Sequence, residues 1–389
     1  MRGLLIVLCV LTYTTCLANT KVLHIGLFYG NEPTEVIVQT GNGSYNVLGN
    51  GLEILTLEKN TILRVKNIGG LVNIRTLSKD LGTYKMVQFV RNIWGSSLKI
   101  QHTNESKTRE YYDNFTIQPL GQKLRIINEV YIEHYVAGVV ESEAGTREPK
   151  EYYKVQAVIC RTYALNNRRR HEAEGFQLCD RVHCQVYNSM NRNNAVITEA
   201  TNETSGIVIV DSDINLVTAA FHSNCGGHTA NSEDVWSSRL DYLRAREDEN
   251  CLEEPHAYWR FATTRAAWEN YLRKTFDYPF HDELAQRLAF DYCPDERQHD
   301  LVAEDGTPVG IDLKQVRRDL NLRSAYFSID QVQDSIILEG RGYGHGVGLC
   351  QEGAMNMAKR GFTYDQILHY YYSNVHLLNL SVIDFFRSN

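Results

Sequence analysis

Short apolar runs, each cut off by a glycine- or asparagine-rich turn, fill the first third of the chain. Lys21–Leu27, Glu35–Val38, Tyr45–Val47, Ile62–Val65, Leu71–Ile74, Met86–Val90 and Leu98–Gln101 are rich in β-branched and aromatic residues, as strands are. The pattern predicts a β-rich N-terminal region over residues 19–120, followed by a second region over 121–389. Leu124–Val130 and Tyr135–Val140 extend the strand pattern into that second region. At Pro149 the period changes. Tyr152, Val155, Ala157, Val158, Ile159, Tyr163 and Leu165 form an apolar stripe that predicts a helix to about Arg170. Proline suits the first helical position, where its missing N–H would be unpaired in any case. Beyond it, Ile207–Val210 and Val217–Ser223 read as buried strands, and Thr264–Thr275 and Ile311–Leu320 as helices. Tyr326–Ile329 and Ser335–Gly340 read as paired strands, and a last helix is expected from Cys350 through Ala358. Asp277–Gly306 is charged and weakly periodic, so an insertion or loop is expected over residues 280–306. This mixed order predicts an α+β fold.

Composition narrows the class. A chain of 389 residues that is 43% hydrophobic and 22% charged is an ordinary globular protein. Its net charge of -7, with no basic run longer than Arg168-Arg169-Arg170, argues against nucleic acid as a partner. Arg2, the apolar run Leu4 to Leu11 and the ending Cys16-Leu17-Ala18 have the form of a signal peptide, with cleavage expected after Ala18. The run is short of the roughly 20 apolar residues that span a bilayer. A lipid anchor on Cys16 has a poor lead-in in Tyr13-Thr14-Thr15. An exported protein of the periplasm or cell envelope is therefore expected. Beyond residue 18 there are Cys160, Cys179, Cys184, Cys225, Cys251, Cys293 and Cys350, too few to make a disulfide scaffold.

Candidate chemistry concentrates at Tyr135-Val-Ala-Gly-Val-Val-Glu-Ser-Glu-Ala-Gly145. Read as a strand, it puts Glu141 and Glu143 on one face. Two half-buried carboxylates do not both ionise cheaply, so one is expected to hold a proton near neutral pH, as glycosidic cleavage requires. A solvated acidic loop is the plain alternative.

Tyr135 to Leu165, including Lys154-x-Gln-Ala-Val-x-x-Arg-Thr-Tyr-Ala164, resembles the signature of the stage II sporulation protein D (SpoIID/LytB) family. Cys179-Asp-Arg-Val-His-Cys-Gln-Val-Tyr187, Phe221-His-Ser-Asn-Cys-Gly-Gly-His-Thr229 with Asp234-Val-Trp236, Gly340 to Ala354 and Tyr364 to Tyr372 resemble its later motifs, in order. The resemblance implies a peptidoglycan lytic transglycosylase, a lyase that leaves 1,6-anhydro ends, with Glu143 as its acid and then its base. The alternative it leaves open is an amidase enhancer that binds the glycan without turnover, although the presence of Glu143 argues for catalysis. Glu141 then becomes a pKa neighbour, and Ala144-Gly145 depart from the family's usual Met-Pro.

The remaining motifs leave alternatives open. Lys154 and Arg161 lie two helical turns apart on one face, either holding substrate or pairing with Glu141 and Asp234. Gly342-x-Gly-His-Gly-x-Gly348 needs positive φ or admits a ligand close to the backbone, and no Gly-Lys-Ser/Thr follows to make a phosphate loop. His345, Gln351, His183, Gln185, His222, Ser223 and Asp234 are read as substrate-binding. His171, Cys179 and Cys184 supply three ligands toward a structural zinc site, one short of closure, and a Cys179–Cys184 disulfide competes. His183 is expected to face away from the metal, because strand alternation opposes it to Cys184. A cysteine hydrolase using Cys225 or Cys350 with His222 or His345 is disfavoured, since the family usually has Ser at or near those positions.

Overall fold

The computed structural model describes residues 22–59, 61–192, 194–302 and 308–381. The expected signal peptide lies outside them. The chain divides into two compact units. Unit 1 is Met1–Arg147 with Gln156–Gly206, and unit 2 is Glu148–Val155 with Ile207–Asn389. Both sheet and helix are abundant, and the fold is α+β.

Unit 1 contains two mainly antiparallel sheets. The first has seven strands in the spatial order Leu178–Cys179, Val22–Leu27, Lys123–Tyr131, Asn114–Leu120, Val87–Arg91, Tyr45–Gly49 and Leu52–Leu57. The second has six, in the order Thr108–Tyr112, Ser97–His102, Glu35–Asn42, Ile62–Ile68, Leu71–Arg75 and Asp80–Tyr84. Alternate residues such as Val36, Val38, Leu63, Val65, Leu98 and Ile100 are fully buried, which is the strand period turned into a core face. On either side of residue 120, Asn114–Leu120 and Lys123–Tyr131 form one hairpin, paired from Asn114↔Glu129 to Leu120↔Lys123.

The last strand of that hairpin runs directly into helix α1 (Ile132–Ala144). Here the strand expected over Tyr135–Val140 is corrected. An apolar run buried on all sides has no period to separate helix from strand. Ile132, Tyr135, Val136, Val139 and Val140 are all buried, and Gly145 at φ 71° ends the helix. Gly138 lets α1 approach the segment after Cys184, since a Cβ there would lie 2.5 Å from the Ser189 carbonyl oxygen and 2.6 Å from the Tyr187 ring. Helix α2 (Lys150–Asn166) begins where Pro149 predicted. Helix α3 (Ala195–Glu203), not expected from the sequence, is capped by the Asn194 side chain accepting from Val196 N–H.

Arg161 of α2 corrects a second expectation. Its side chain is fully buried and pairs with Glu133. Its Nε donates to Glu133 Oε1 at 3.0 Å and its Nη2 to Oε2 at 2.5 Å, a bidentate pair between α2 and α1. Nη2 also reaches the Thr201 carbonyl of α3 at 3.4 Å, and Glu133 Oε1 accepts from Ser205 Oγ and Gly206 N–H.

Unit 2 contains helices α4 (Ser232–Trp236), α5 (Arg265–Phe276), α6 (Glu283–Leu288), α7 (Leu313–Asp319), α8 (Gln351–Lys359) and α9 (Tyr364–Tyr371). Its largest sheet has four strands, Tyr258–Thr264, Ser335–Arg341, Phe327–Val332 and Asp291–Tyr292. The helix after Cys350 is thus not the last, since α9 follows it. The segment expected to be a loop or insertion forms α6 and short strands, and its Tyr278, Leu288, Phe290, Tyr292 and Leu301 join the core cluster around Trp268. Its apolar residues sit too irregularly to show a period, yet they pack. Among the described residues no helix is long and apolar enough to cross a membrane.

Breaking the buried Glu133–Arg161 pair leaves an uncompensated charge. Arg161→Ala is expected to destabilise unit 1 by about 3–5 kcal/mol in urea unfolding, whereas Arg161→Met with Glu133→Leu recovers most of that loss. Equal losses in the two variants would refute the pairing as the cause.

Candidate functional site

Glu143 sits in the last turn of α1, half-buried, with Oε1 accepting the Val186 N–H at 2.9 Å. Burial pushes its carboxyl above the ordinary value, and the hydrogen bond opposes this only in part. Glu141 is not the neighbour expected of it. On a helix, residues two apart point about 200° from each other, and Glu141 instead accepts the Arg192 N–H at 2.9 Å. Glu141 and Glu143 therefore do not share a face. Gln185, next to Val186, is buried; its Oε1 accepts from Tyr135 Oη at 3.3 Å, and its Nε2 has no hydrogen-bond partner among the described residues. On the same helix, a cavity of about 280 Å³ is lined by Trp94, Tyr112, Tyr131, His134, Asn191 and Asn202, among others. Trp94 leaves 60% of its surface exposed there.

The Cys179 motif folds as a turn, and this overturns the placement of His183. Only Leu178–Cys179 is strand, so alternation does not extend to residues 183 and 184. One ligand atom each from His171, Cys179, His183 and Cys184 all lie within 4.8 Å of one another. His171 Nε2 is 3.5 Å from Cys184 Sγ, and His183 Nδ1 is 3.9 and 4.0 Å from Cys179 and Cys184 Sγ. A tetrahedral zinc with bonds of about 2.0–2.3 Å spaces its ligands about 3.3–3.8 Å apart; the 3.5 Å contact lies inside that range and the 3.9 and 4.0 Å contacts just outside it, so the four groups approach such a site. Glu174, missed in the sequence, holds His171 Nδ1 at 2.5 Å and so turns Nε2 toward the sulfurs. Its signal was the i, i+3 spacing. The Cys184 thiol, donating to Cys179, pushes the Cys179 thiol down from its ordinary value.

The other candidates belong to unit 2. Lys154 pairs with Glu151 at 2.7 Å and faces the Tyr364 ring at 5.8 Å. His222 is buried, with Nδ1 donating to the Val347 carbonyl at 3.2 Å, and burial holds it well below its ordinary pKa. Ser223 Oγ meets His256 Nδ1 at 3.5 Å, and Glu352 meets the same nitrogen, so this ring cannot relay a proton as a catalytic triad does. Gln351 opens α8 with a buried Nε2 that lacks a partner among the described residues. Cys225 and Cys350 are fully buried, out of reach for a nucleophile.

Asp234 and His345 do come together, lining one concavity with Arg297, Lys314 and Arg317. The three cations were missed, and Arg297 lies in the segment expected to be a loop. His345 is pushed down to about 4, by burial first and then by Arg297 and Arg317. Two glycines of the motif pack closely on their own chain: Gly342 and Gly348 have φ of 77° and 70°, and a Cβ on them would strike Asn224 and Ala220 carbonyl oxygens at 2.6 and 2.3 Å, while Gly344 lines the concavity beside His345.

The segment that carries α1, α2 and the Cys/His turn is a recognisable domain. The family model described as Stage II sporulation protein (SpoIID) matches residues 121–210. Over these residues the chain is similar to the SpoIID/LytB family. It is 27% identical over 377 residues to an uncharacterized protein of Brachyspira hyodysenteriae, spanning 96% of this chain and 95% of that one. It is 29% identical over 266 residues to the stage II sporulation protein D of Bacillus subtilis, spanning 64% of this chain and 75% of that one. Identity to the amidase enhancer of Bacillus subtilis is 25% over 360 residues, covering 78% of this chain and 49% of that protein.

A carboxyl raised in the folded state binds its proton more tightly folded than unfolded. The stability it allows at low pH is lost as pH rises from the unfolded value of 4.5 through the higher folded one. Glu143→Gln removes that loss, so the variant should melt higher than wild type at about pH 7–8, and the gap should close below about pH 4. A lower melting temperature at neutral pH would contradict the raised carboxyl.

Proposed function

We propose that this protein is a peptidoglycan lytic transglycosylase that cleaves the bond between N-acetylmuramic acid and N-acetylglucosamine. The observation that carries the reading is Glu143: half-buried, raised, and held by one backbone N–H on Oε1, which leaves Oε2 to deliver a proton. The acid protonates the glycosidic oxygen, and the C1–O bond breaks with its electron pair on that oxygen. The resulting carboxylate takes the proton of the muramic C6 hydroxyl, whose oxygen bonds to C1 and closes the 1,6-anhydro ring. Water is neither added nor lost, and one carboxyl suffices.

The aromatic and amide-lined cavity on α1 supports a neutral sugar partner, because aromatic faces pack on pyranose rings while amides meet hydroxyls. The cation-rich concavity of unit 2 suits a carboxylate, and the lactyl group of muramic acid is one that removal of stem peptides exposes. Glycan stripped of stem peptides is therefore the preferred substrate. Export directed by residues 1–18 would bring the protein to it.

His171, Cys179, His183 and Cys184 are read as a structural zinc site in which zinc acts as a cross-link. The turn it would brace leads directly to Gln185 and to Val186, the donor on Glu143. The second reading is an amidase enhancer that binds glycan without cleaving it, favoured by the Bacillus subtilis relative of that name.

Incubation with denuded glycan should release 1,6-anhydro-muramic ends, faster than from intact peptidoglycan. Glu143→Gln should lower the rate on the order of a hundredfold or more with glycan binding retained, while Glu141→Gln changes it little. Binding without any product would turn the assignment to the enhancer, and reducing ends would make the enzyme a hydrolase. Zinc at the Cys/His cluster should weaken about 10–100-fold in Glu174→Ala, measured by competition with a chromogenic chelator. Unchanged affinity would remove Glu174 from the orienting role.

A further inference from the structure

Unit 2 holds a second cluster that the proposed reaction does not use. The loop after the strand Phe221–His222, the short turn Glu249–Cys251 and the N-terminus of α8 converge on Cys225, Asp248, Cys251 and Cys350, all four fully buried. One ligand atom from each lies within 4.8 Å of all the others. Cys225 Sγ is 3.3 Å from Cys251 Sγ and 3.4 Å from Asp248 Oδ2.

The surroundings are built for negative charge. Cys350 Sγ accepts the N–H groups of Cys225 at 3.3 Å and Gly353 at 3.4 Å. Tyr371 Oη donates to Asp248 Oδ2 at 2.8 Å, while Asn250 N–H and Nδ2 donate to Oδ1 at 3.1 and 2.9 Å. Yet among the described residues no Lys, Arg or His pairs with Asp248. A fully buried carboxylate without a cation is expensive, and a divalent metal is the partner that would also use three converging sulfurs.

We propose that Cys225, Asp248, Cys251 and Cys350 form a zinc site in unit 2, separate from the Cys/His cluster of unit 1. Three thiolates select a soft metal, and four protein ligands with no open position make the site structural. The Cys225–Asp248 spacing of 3.4 Å is close to a tetrahedral sulfur–oxygen edge of about 3.5 Å, and the Cys225 and Cys251 sulfurs, at 3.3 Å, need open by only about 0.5 Å to reach a thiolate edge of about 3.8 Å. The ion would fasten three segments distant in sequence. His222 lies just before the first of them and Gln351 follows Cys350, so the site braces two substrate-binding candidates from behind.

The test is zinc analysis of the full chain after dialysis against zinc and then metal-free buffer. A Cys179→Ser/Cys184→Ser chain, unable to close the first cluster, should retain one zinc per chain, and adding Cys350→Ser should remove it. Circular dichroism checks that both variants remain folded. A folded Cys179→Ser/Cys184→Ser chain without zinc overturns the proposal. A second arm needs no variant. In a non-reducing peptide map of wild type, free thiols at Cys225, Cys251 and Cys350 support the site, and a Cys225–Cys251 disulfide overturns it.

Discussion

The Glu133–Arg161 pair fixes the geometry on which the placement of Glu143 depends. A bidentate guanidinium–carboxylate contact sets both the distance and the rotation of two helices, because the two forks mate in one plane. Here it locks α1 to α2 and draws in the end of α3 through Thr201, Ser205 and Gly206. Glu143 lies on the same α1, ten residues beyond Glu133, so its direction follows from the helix rotation that the pair sets. The pair itself contributes less to net stability than its burial suggests, since both ions had to leave water. Its value is orientation.

Backbone donors then tune what the helix positions. Val186 N–H steadies one oxygen of Glu143 while burial keeps the carboxyl raised. The balance is delicate: a second donor would favour the charged form and bring the carboxyl back down. Gly138 admits Tyr187 and Ser189 against α1, and that contact places Val186 within reach. A side chain with no chemistry of its own thus decides where the acid's partner lies.

The strands of unit 1 were legible because each buries one face and their period of two survives in the sequence. Helix α2 was legible from Pro149 and its apolar stripe. Helix α1 was not, because Val136, Val139 and Val140 are β-branched and buried all round, so propensity argued for a strand and periodicity was silent. The same error displaced Glu141 and Glu143 onto a common face. His183 was misplaced by extending strand alternation past Cys179, where the chain had already turned. Arg161 was recognised by position but misread in role, since its partner Glu133 lies 28 residues away. Motif resemblance singled out Glu143 without any knowledge of its helix.

The seven-stranded sheet also dictates an order of events during synthesis. Val22–Leu27 pairs with Lys123–Tyr131 on one side and with Leu178–Cys179 on the other. Asp180 then seals the end by accepting the Phe28 and Tyr29 N–H groups, across sequence separations of 152 and 151 residues. Non-local pairings of this kind form slowly, because the loop must close before any contact rewards it. The first strand therefore waits with an open hydrogen-bonding edge until nearly half the chain has followed it. A chaperone or translocation partner that shields this edge shortens the interval in which it can pair with another molecule.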